Sequence, residues 1–194
     1  MSVVSNPPSR RAAPGVTAAE AAARLAPLWR ELLRLDQVGW DDDYFDLGGD
    51  SVLAVELFAR IEREFGRKLP LATLFDAPTV GRLAEVLAEG PPAAGSCLVP
   101  IQPAGRSRPL FLVHDGTGEV LCYRTLARRL GTERPVYGFQ WAGRAAEAGA
   151  LTVEALATHY VQELQRAQPQ GPYYLGGYCG GGTVAYEMAQ QFTA

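Results

Sequence analysis

The chain has 194 residues, of which 47% are hydrophobic and 20% charged, and its formal net charge is -3 with Lys68 as its single lysine. This length suits one large domain or a small domain and part of a second, and the composition is typical of a globular protein. Because nucleic-acid binding usually needs a clustered basic face, we expect no nucleic-acid partner.

Targeting signals and metal-binding patterns are missing from the sequence. No apolar run approaches the length of a membrane span, and no apolar stretch follows the two arginines near the N-terminus, so we expect no membrane partner and a cytoplasmic location. Cys97, Cys122 and Cys179 show no paired spacing, which predicts free thiols and no metal site. Cys122, next to Leu121, is expected to be a small core residue.

Composition divides the chain into four stretches. Residues 1–16 are rich in Ser, Pro and Ala and are predicted to be a disordered tail. Residues 91–105 are predicted to be a linker, since Gly and Pro punctuate this part of the chain. Two folded regions, 17–90 and 106–194, are expected on either side of that linker.

The first folded region has the pattern of a small helical bundle. Thr17-Ala-Ala-Glu20 has the spacing of a capping box, and apolar residues then fall on one helical face. Pro27 removes a backbone hydrogen bond, so this helix either kinks there or begins near it. The further elements are a helix over about 51–65 that ends at Gly66, a short turn over 71–75 and a last helix over 79–88.

The second folded region alternates short β-type runs with helical stretches. Such alternation predicts a parallel sheet with crossover helices. The predicted strands are 110–114, 135–139 and 173–178, and the predicted helices are 120–130, 152–167 and one that begins near Gly181.

Two glycines and an aspartate precede Ser51 at the predicted start of the second helix. On local grounds the glycines make a turn, and either Asp50 or Ser51 caps the helix. A serine at a helix N-terminus also presents its hydroxyl beside unpaired N–H groups and the positive end of the helix dipole. That field would favour an attached phosphodiester.

The longer stretch Asp43-Tyr-Phe-Asp-Leu-Gly-Gly-Asp-Ser51 resembles the core motif of peptidyl carrier proteins, and Phe75-Asp-Ala-Pro-Thr79 resembles the start of their last helix. The resemblance implies an all-α, four-helix carrier domain with 4′-phosphopantetheine attached covalently to Ser51. The partners it implies are coenzyme A, a phosphopantetheinyl transferase and upstream condensation and adenylation domains. On the same resemblance alone, Asp50 is expected to assist the transferase and its metal.

A second motif, Gly177-Tyr-Cys-Gly-Gly181, fits the strand-to-helix elbow of α/β-hydrolases. It resembles the GYSxGG motif of thioesterases that end peptide and polyketide assembly lines, and Phe111-Leu-Val-His-Asp-Gly-Thr-Gly118 resembles their first-strand motif. The resemblance implies an α/β-hydrolase fold in which Cys179 is the nucleophile. The N–H groups of Gly180 and Gly116 would then form the oxyanion hole.

Cysteine stands at position 179 where these thioesterases usually have serine. It is native, or engineered to trap an intermediate, or a structural cysteine in an inert domain. The triad Asp and His are expected beyond residue 194, so residues 106–194 are expected to be a truncated, N-terminal part of a thioesterase that is inactive in release by itself. His114 lies in the first-strand motif, and His159 is expected to have a surface or packing role.

The resemblances together imply a step of nonribosomal peptide biosynthesis, the kind of pathway that makes antibiotics. An acyl or peptidyl chain would be held as a thioester on the arm of Ser51 and passed to Cys179, to be released by hydrolysis or cyclisation. One alternative is a carrier and docking module with an inert thioesterase. Another is a cysteine hydrolase unrelated to assembly lines, against which the carrier motif argues.

Overall fold

The computed structural model describes residues 16–89, 96–141 and 152–193, which form an all-α part followed by a part built on a β-sheet. The predicted disordered tail, 1–16, lies almost entirely outside the described residues. The sequence predicted an all-α part followed by an α/β part, and the structure confirms this order.

The all-α part has four helices. They are α1 (Ala18–Leu33), α2 (Ser51–Phe65), α3 (Thr73–Asp76) and α4 (Val80–Glu89). The predicted capping box is present, since the Thr17 hydroxyl accepts the Glu20 N–H and the Glu20 carboxylate accepts the Thr17 N–H. Helix α1 continues through Pro27, and α2 ends at Gly66, which adopts the left-handed conformation with φ 66°. The predicted turn at 71–75 instead contains part of the short helix α3.

The helices of this bundle enclose one apolar core. Helix α1 packs against both α4 and α2, and the side chains that fill the centre are completely buried. The largest of them are Trp29, Tyr44, Leu25, Leu57, Ile61, Leu74, Leu83 and Leu87. Trp29 and Tyr44 meet edge to face, with ring centroids 5.2 Å apart. Burying each large apolar side chain contributes about 1.5–3 kcal/mol, so this core stabilises the bundle.

The second part is built on a four-stranded sheet. Its strands are β1 (Leu98–Gln102), β2 (Leu110–Val113), β3 (Val136–Phe139) and β4 (Tyr174–Gly177), in the order β1-β3-β2-β4. Strands β3, β2 and β4 are parallel, as predicted, whereas β1 pairs with β3 in the antiparallel direction. The sheet is therefore mixed, and the prediction of a purely parallel sheet is wrong for β1.

Strand β1 also corrects the predicted linker, 91–105, because Leu98–Gln102 lies within it. All five residues of β1 are half-buried, so the strand has no alternation of buried and exposed positions to read. Pro100 lies in the strand, close to a shift of register, and proline is tolerated in sheets at such edge positions. The absence of alternation and the presence of Pro100 made this strand look like a linker in the sequence.

Helices cover both faces of the sheet. A short 3-10 turn (Leu121–Tyr123) leads directly into helix α5 (Arg124–Leu130). Helices α6 (Val153–Ala167) and α7 (Gly180–Gln191) pack against each other. Phe111 and Val113 point towards α6 and α7, and Leu112 packs with the α5 side, as strand alternation requires. Cys122 is exposed, so its predicted place in the core is wrong: in the 3-10 turn its neighbours Leu121 and Tyr123 take the buried positions.

Candidate functional site

Ser51 is the first residue of α2, and its neighbour Asp50 is the capping residue. One carboxylate oxygen of Asp50, Oδ1, accepts the N–H groups of Val52 at 2.9 Å and of Leu53 at 2.8 Å. The hydroxyl of Ser51 makes no hydrogen bond to any described residue, and the side chain is partly exposed. Because Asp50 satisfies the helix N-terminus, the hydroxyl of Ser51 is left free for covalent attachment.

The loop that precedes Ser51 is fixed to the bundle. The Tyr44 N–H donates to the carbonyl oxygen of Pro78 at 2.8 Å, and the buried Tyr44 hydroxyl donates to the carbonyl oxygen of Asp50 at 3.2 Å. Burial raises the pKa of this hydroxyl, so it stays protonated and keeps donating. Ser51 therefore begins α2 at a defined position and not at the end of a free loop.

The elbow at Cys179 has the geometry that the sequence motif predicts. Cys179 lies between β4 and α7 with φ 55° and ψ -124°, a strained conformation for a residue with a side chain, and it is exposed. A Cβ on Gly177 would clash with the backbone of Gly181, and a Cβ on Gly181 would clash with the carbonyl oxygen of His114. The two glycines thus let the strand, the elbow and the helix pack closely enough to expose Cys179.

Two backbone N–H groups near the elbow have no acceptor. Among the described residues, neither Gly180 nor Gly116 donates its N–H to a protein atom. The turn that contains Gly116 is held by Asp115, whose carboxylate accepts the Thr117 N–H at 2.8 Å. The close contact of Gly181 with the end of β2 places the start of α7 beside this turn. Free N–H groups of this kind are what an oxyanion site requires.

Tyr123 is a residue of this region that the sequence analysis missed. Its hydroxyl donates to the carbonyl oxygen of Val113 at 2.7 Å and accepts the N–H of Tyr178 at 2.7 Å. Burial raises its pKa to about 12, so the hydroxyl remains a donor at neutral pH. It therefore joins the end of β2 to the residue that precedes Cys179. A tyrosine among apolar residues after a glycine-rich loop was the only signal in the sequence.

The two histidines of the chain lie in different surroundings. His114 is buried, with its Nδ1 atom 2.6 Å from the carbonyl oxygen of Asp115 and its ring edge-on to Trp141 and Tyr160. His159 is exposed on α6, beside Tyr160, with ring centroids 5.7 Å apart. The exposed position of His159 agrees with the surface or packing role expected for it, whereas the buried ring of His114 is a finding of the structure.

The other thiols are less suited to nucleophilic chemistry. Burial, followed by the charge of Glu163, raises the pKa of Cys97 to about 12. Cys122 is exposed as a residue, but partial desolvation of its thiol, followed by the charge of Asp115, raises its pKa to about 11. Within the described ranges no three side chains of the metal-ligating types cluster. In the same part of the chain, no helix combines the length and the apolarity needed to cross a bilayer.

Two protein families match the two parts of the chain. Residues 23–87 match the family described as "Phosphopantetheine attachment site", and residues 108–194 match the family described as "Thioesterase domain". The fold and the sites thus define a carrier domain that bears covalent 4′-phosphopantetheine, joined to a thioesterase sequence whose family implies hydrolase activity as part of a synthetase.

Known relatives define the family. A dimodular nonribosomal peptide synthase of Bacillus subtilis is 42% identical over 86% of this chain, and malpinin synthetase of Mortierella alpina is 43% identical over 85%. The crystal structure of a holo four-domain nonribosomal peptide synthetase with AMP and glycine aligns over 97% of this chain with a TM-score of 0.54 and 34% identity. The chain belongs to the nonribosomal peptide synthetases.

The chain spans only a small part of these relatives. It covers 7% of the Bacillus protein, 2% of malpinin synthetase and 14% of the solved four-domain structure. The matches therefore identify the carrier and thioesterase functions of this region and do not extend to the activities of those whole proteins.

Proposed function

We propose that this chain holds an acyl or peptidyl group on Ser51 and passes it to Cys179 for release, as the last step of a nonribosomal peptide synthesis. One observation supports this most strongly: the same chain places a free serine hydroxyl at a fixed helix N-terminus and an exposed cysteine in a strained elbow. The proposal includes a transferase and coenzyme A, upstream synthetase domains, and the cytoplasm as its location.

The transfer begins from a thioester, which the phosphopantetheine arm supplies through its terminal thiol. Cys179 would be the residue that accepts the acyl group: its Sγ atom would form a new thioester bond with the acyl carbon, and the proton of the Cys179 thiol would go to the sulfur that the acyl group leaves. The N–H groups of Gly180 and Gly116 bind the oxyanion that forms in between, each contributing about 3 kcal/mol. Water or a nucleophile of the acyl chain then attacks, giving hydrolysis or cyclisation.

Asp50 has two roles in this scheme: it caps helix α2, and it is expected to assist the transferase and its metal. Its Oδ1 atom is engaged in two helix-capping hydrogen bonds, while no described donor contacts Oδ2. We propose that Oδ2 is the atom that faces the transferase and its metal. Asp50→Asn would keep the cap and lose charge, which separates the two tasks.

The attachment at Ser51 is tested by intact mass. After incubation with coenzyme A and a broad-specificity phosphopantetheinyl transferase, the wild-type chain should gain one phosphopantetheine group and Ser51→Ala should gain none. Ser107→Ala, which removes an exposed serine elsewhere, is the matched control and should be modified like the wild type. Modification at another residue would remove Ser51 from the proposal.

The role of Cys179 is tested in a synthetase that contains this sequence. When the carrier is loaded with an acyl-pantetheine, peptide mapping over time should find the acyl group on Ser51 first and on Cys179 later. Cys179→Ala should leave it on Ser51, whereas Cys97→Ala should not, since Cys97 is buried. Undiminished product release by Cys179→Ala would favour the alternative of a carrier module with an inert thioesterase.

A further inference from the structure

The two parts of the chain meet at the loop that precedes the turn before Ser51. The loop at Asp43–Asp46 of the carrier part meets the 3-10 turn and helix α5 of the thioesterase part. The guanidinium of Arg124 lies 3.6 Å from the centroid of the Phe45 ring and 3.4 Å from the Asp43 carboxylate. Arg128 approaches the Asp46 carboxylate at 3.7 Å. A planar cation over an aromatic face with a carboxylate beside it is an arrangement that favours arginine.

Apolar side chains cross the same boundary in both directions. Leu121, from the 3-10 turn, is 3% exposed and belongs to the apolar core of the carrier bundle. Phe75, from the carrier helix α3, packs against the cluster of Leu112, Val120 and Tyr123 beneath the sheet. Each part thus contributes a side chain to the core of the other, which a chance surface contact would not require.

The carrier side of this contact is rigid. The oxygen of Asp43 that faces Arg124 also accepts the N–H groups of Phe45 at 2.8 Å and Asp46 at 3.3 Å. Asp43 further forms a bridge with Thr79 at the start of α4. Arg124 therefore contacts a loop that is already fixed, and its burial, which lowers the pKa of the guanidinium, makes a carboxylate partner necessary.

The surface around Ser51 remains open while this contact is made. Val52 is 75% exposed and Val55 is 56% exposed, although the thioesterase part is packed against the neighbouring loop. Exposed apolar side chains on one helix face beside Ser51 are suited to contact another protein.

We propose that the Asp43–Asp46 loop and the side chains of Leu121, Arg124 and Arg128 form a resting dock between the carrier and the thioesterase parts. The dock keeps the carrier on the thioesterase by a face other than that of Ser51. A third protein, such as the modifying transferase, therefore reaches Ser51 without displacing the thioesterase. This goes beyond the proposed transfer to Cys179 and does not depend on it.

The test uses the whole 194-residue chain and nitrogen-15 relaxation. Residues of the two parts should share one rotational correlation time in the wild type. In Arg124→Ala the carrier resonances should show a shorter correlation time than the rest. Arg129→Ala removes an exposed arginine of the same helix that forms no hydrogen bond or ion pair with a described carrier residue, and it should behave like the wild type. Arg124→Lys keeps the charge without the planar stacking and should give an intermediate result.

The rate of Ser51 modification tests the open face. With coenzyme A and the transferase, the wild type and Arg124→Ala should be modified at the same rate. Separate tumbling in the wild type, or a shared correlation time that survives Arg124→Ala, would overturn the dock. Faster modification of Arg124→Ala would show that the docked thioesterase hides Ser51, which would overturn the open face. Failure of Cys179 to accept an acyl group would leave all of these outcomes unchanged.

Discussion

Tyr123 shows how one hydroxyl can hold the elbow that carries Cys179. The parallel pairing of β2 with β4 ends at Val113 and Gly177. At this point the Tyr123 hydroxyl hydrogen-bonds to the carbonyl oxygen of Val113 and to the N–H of Tyr178. The Gly116 turn and Cys179 follow these two strands at the same edge of the sheet. The position of Cys179 depends on this bridge because Tyr178 immediately precedes it.

Removing the hydroxyl in Tyr123→Phe should destabilise the chain. The substitution leaves the carbonyl of Val113 and the N–H of Tyr178 without a partner, and such losses cost about 1–3 kcal/mol. Chemical denaturation should show this decrease in the free energy of unfolding, and hydrogen exchange should show a faster amide at Tyr178. Tyr137→Phe, whose hydroxyl makes no hydrogen bond to described residues, should stay close to the wild type. Equal exchange at Tyr178 in all three proteins would contradict the bridging role.

Glu119 gives the α/β part a defined pH dependence. It is half-buried, its Oε2 accepts the Gln140 side-chain N–H at 3.1 Å, and burial followed by the charge of Asp115 raises its pKa in the folded state. In the window above its unfolded pKa of 4.5, the folded state binds more protons than the unfolded state. The free energy of unfolding therefore falls as the pH rises through the raised pKa.

Glu119→Gln should remove this pH-dependent loss. The amide keeps an acceptor for Gln140 but carries no charge, so the variant should gain stability relative to the wild type as the pH rises above 4.5 and through the raised pKa of Glu119. Thermal melts at several pH values would measure the gain. Glu133→Gln changes an exposed carboxylate on the same part of the chain and serves as the control, with no such trend expected. A constant difference between Glu119→Gln and the wild type over this range would refute the assignment.

The residue scale also shows what the sequence could reveal about the sites. Ser51, Cys179 and the glycines beside them lie in short motifs, and each motif requires a particular local backbone, so it is visible in consecutive residues. Tyr123 acts on Val113 and Tyr178, which are 10 and 55 positions away. A partner set by tertiary packing leaves no local pattern, so this contact could not be read before the fold was known.

At the scale of elements, apolar periodicity correctly predicted the helices and strands that carry a regular apolar pattern. Helix α2 has the predicted bounds, and β2, β3 and β4 lie within the predicted runs, because these segments carry clear apolar patterns. Strand β1 was missed because its burial is uniform and its partner, β3, lies more than 30 residues further along the chain. The direction of an edge strand is decided by such a long-range pairing and not by its own residues.

The start of α7 provides a matched test of close packing. Gly181→Ala places a methyl group against the carbonyl oxygens of Val113 and His114, both backbone atoms that cannot turn away. At Gly182 the nearest atom to an added Cβ is the Gly177 oxygen, 3.4 Å away, an ordinary contact. Alanine is favoured over glycine inside a helix by about 1 kcal/mol. Gly182→Ala should therefore be neutral or slightly stabilising, and Gly181→Ala destabilising by at least about 1–3 kcal/mol.

Denaturation curves of the two variants would measure this difference in the free energy of unfolding. If both glycines tolerated alanine equally, the close contact between α7 and the end of β2 would be absent in solution. The geometry of the elbow would then have to be explained without it.

At the scale of the whole molecule, the chain has two cores that are joined at one boundary. Among the described residues, the bundle core contains a single buried side chain from outside the carrier part, Leu121, and the two clusters that flank the sheet contain only Phe75 from the bundle. Contacts across the boundary are thus few compared with those within each part. Such a division suits a synthetase in which one part must visit several partners while the other stays with its substrate.

The carrier part should fold by itself, since its core is almost entirely its own. The isolated segment 16–89 is expected to show helical circular dichroism and a cooperative melt, at a slightly lower temperature than in the whole chain because Leu121 and Arg124 are lost. Leu57→Ala, at a completely buried position, should lower its free energy of unfolding by about 2–5 kcal/mol. Val55→Ala, two residues earlier and exposed, should change it by less than about 0.5 kcal/mol. A broad, non-cooperative melt of the isolated segment would show that the carrier needs the thioesterase part to fold, and the predicted boundary near residue 90 would then be wrong.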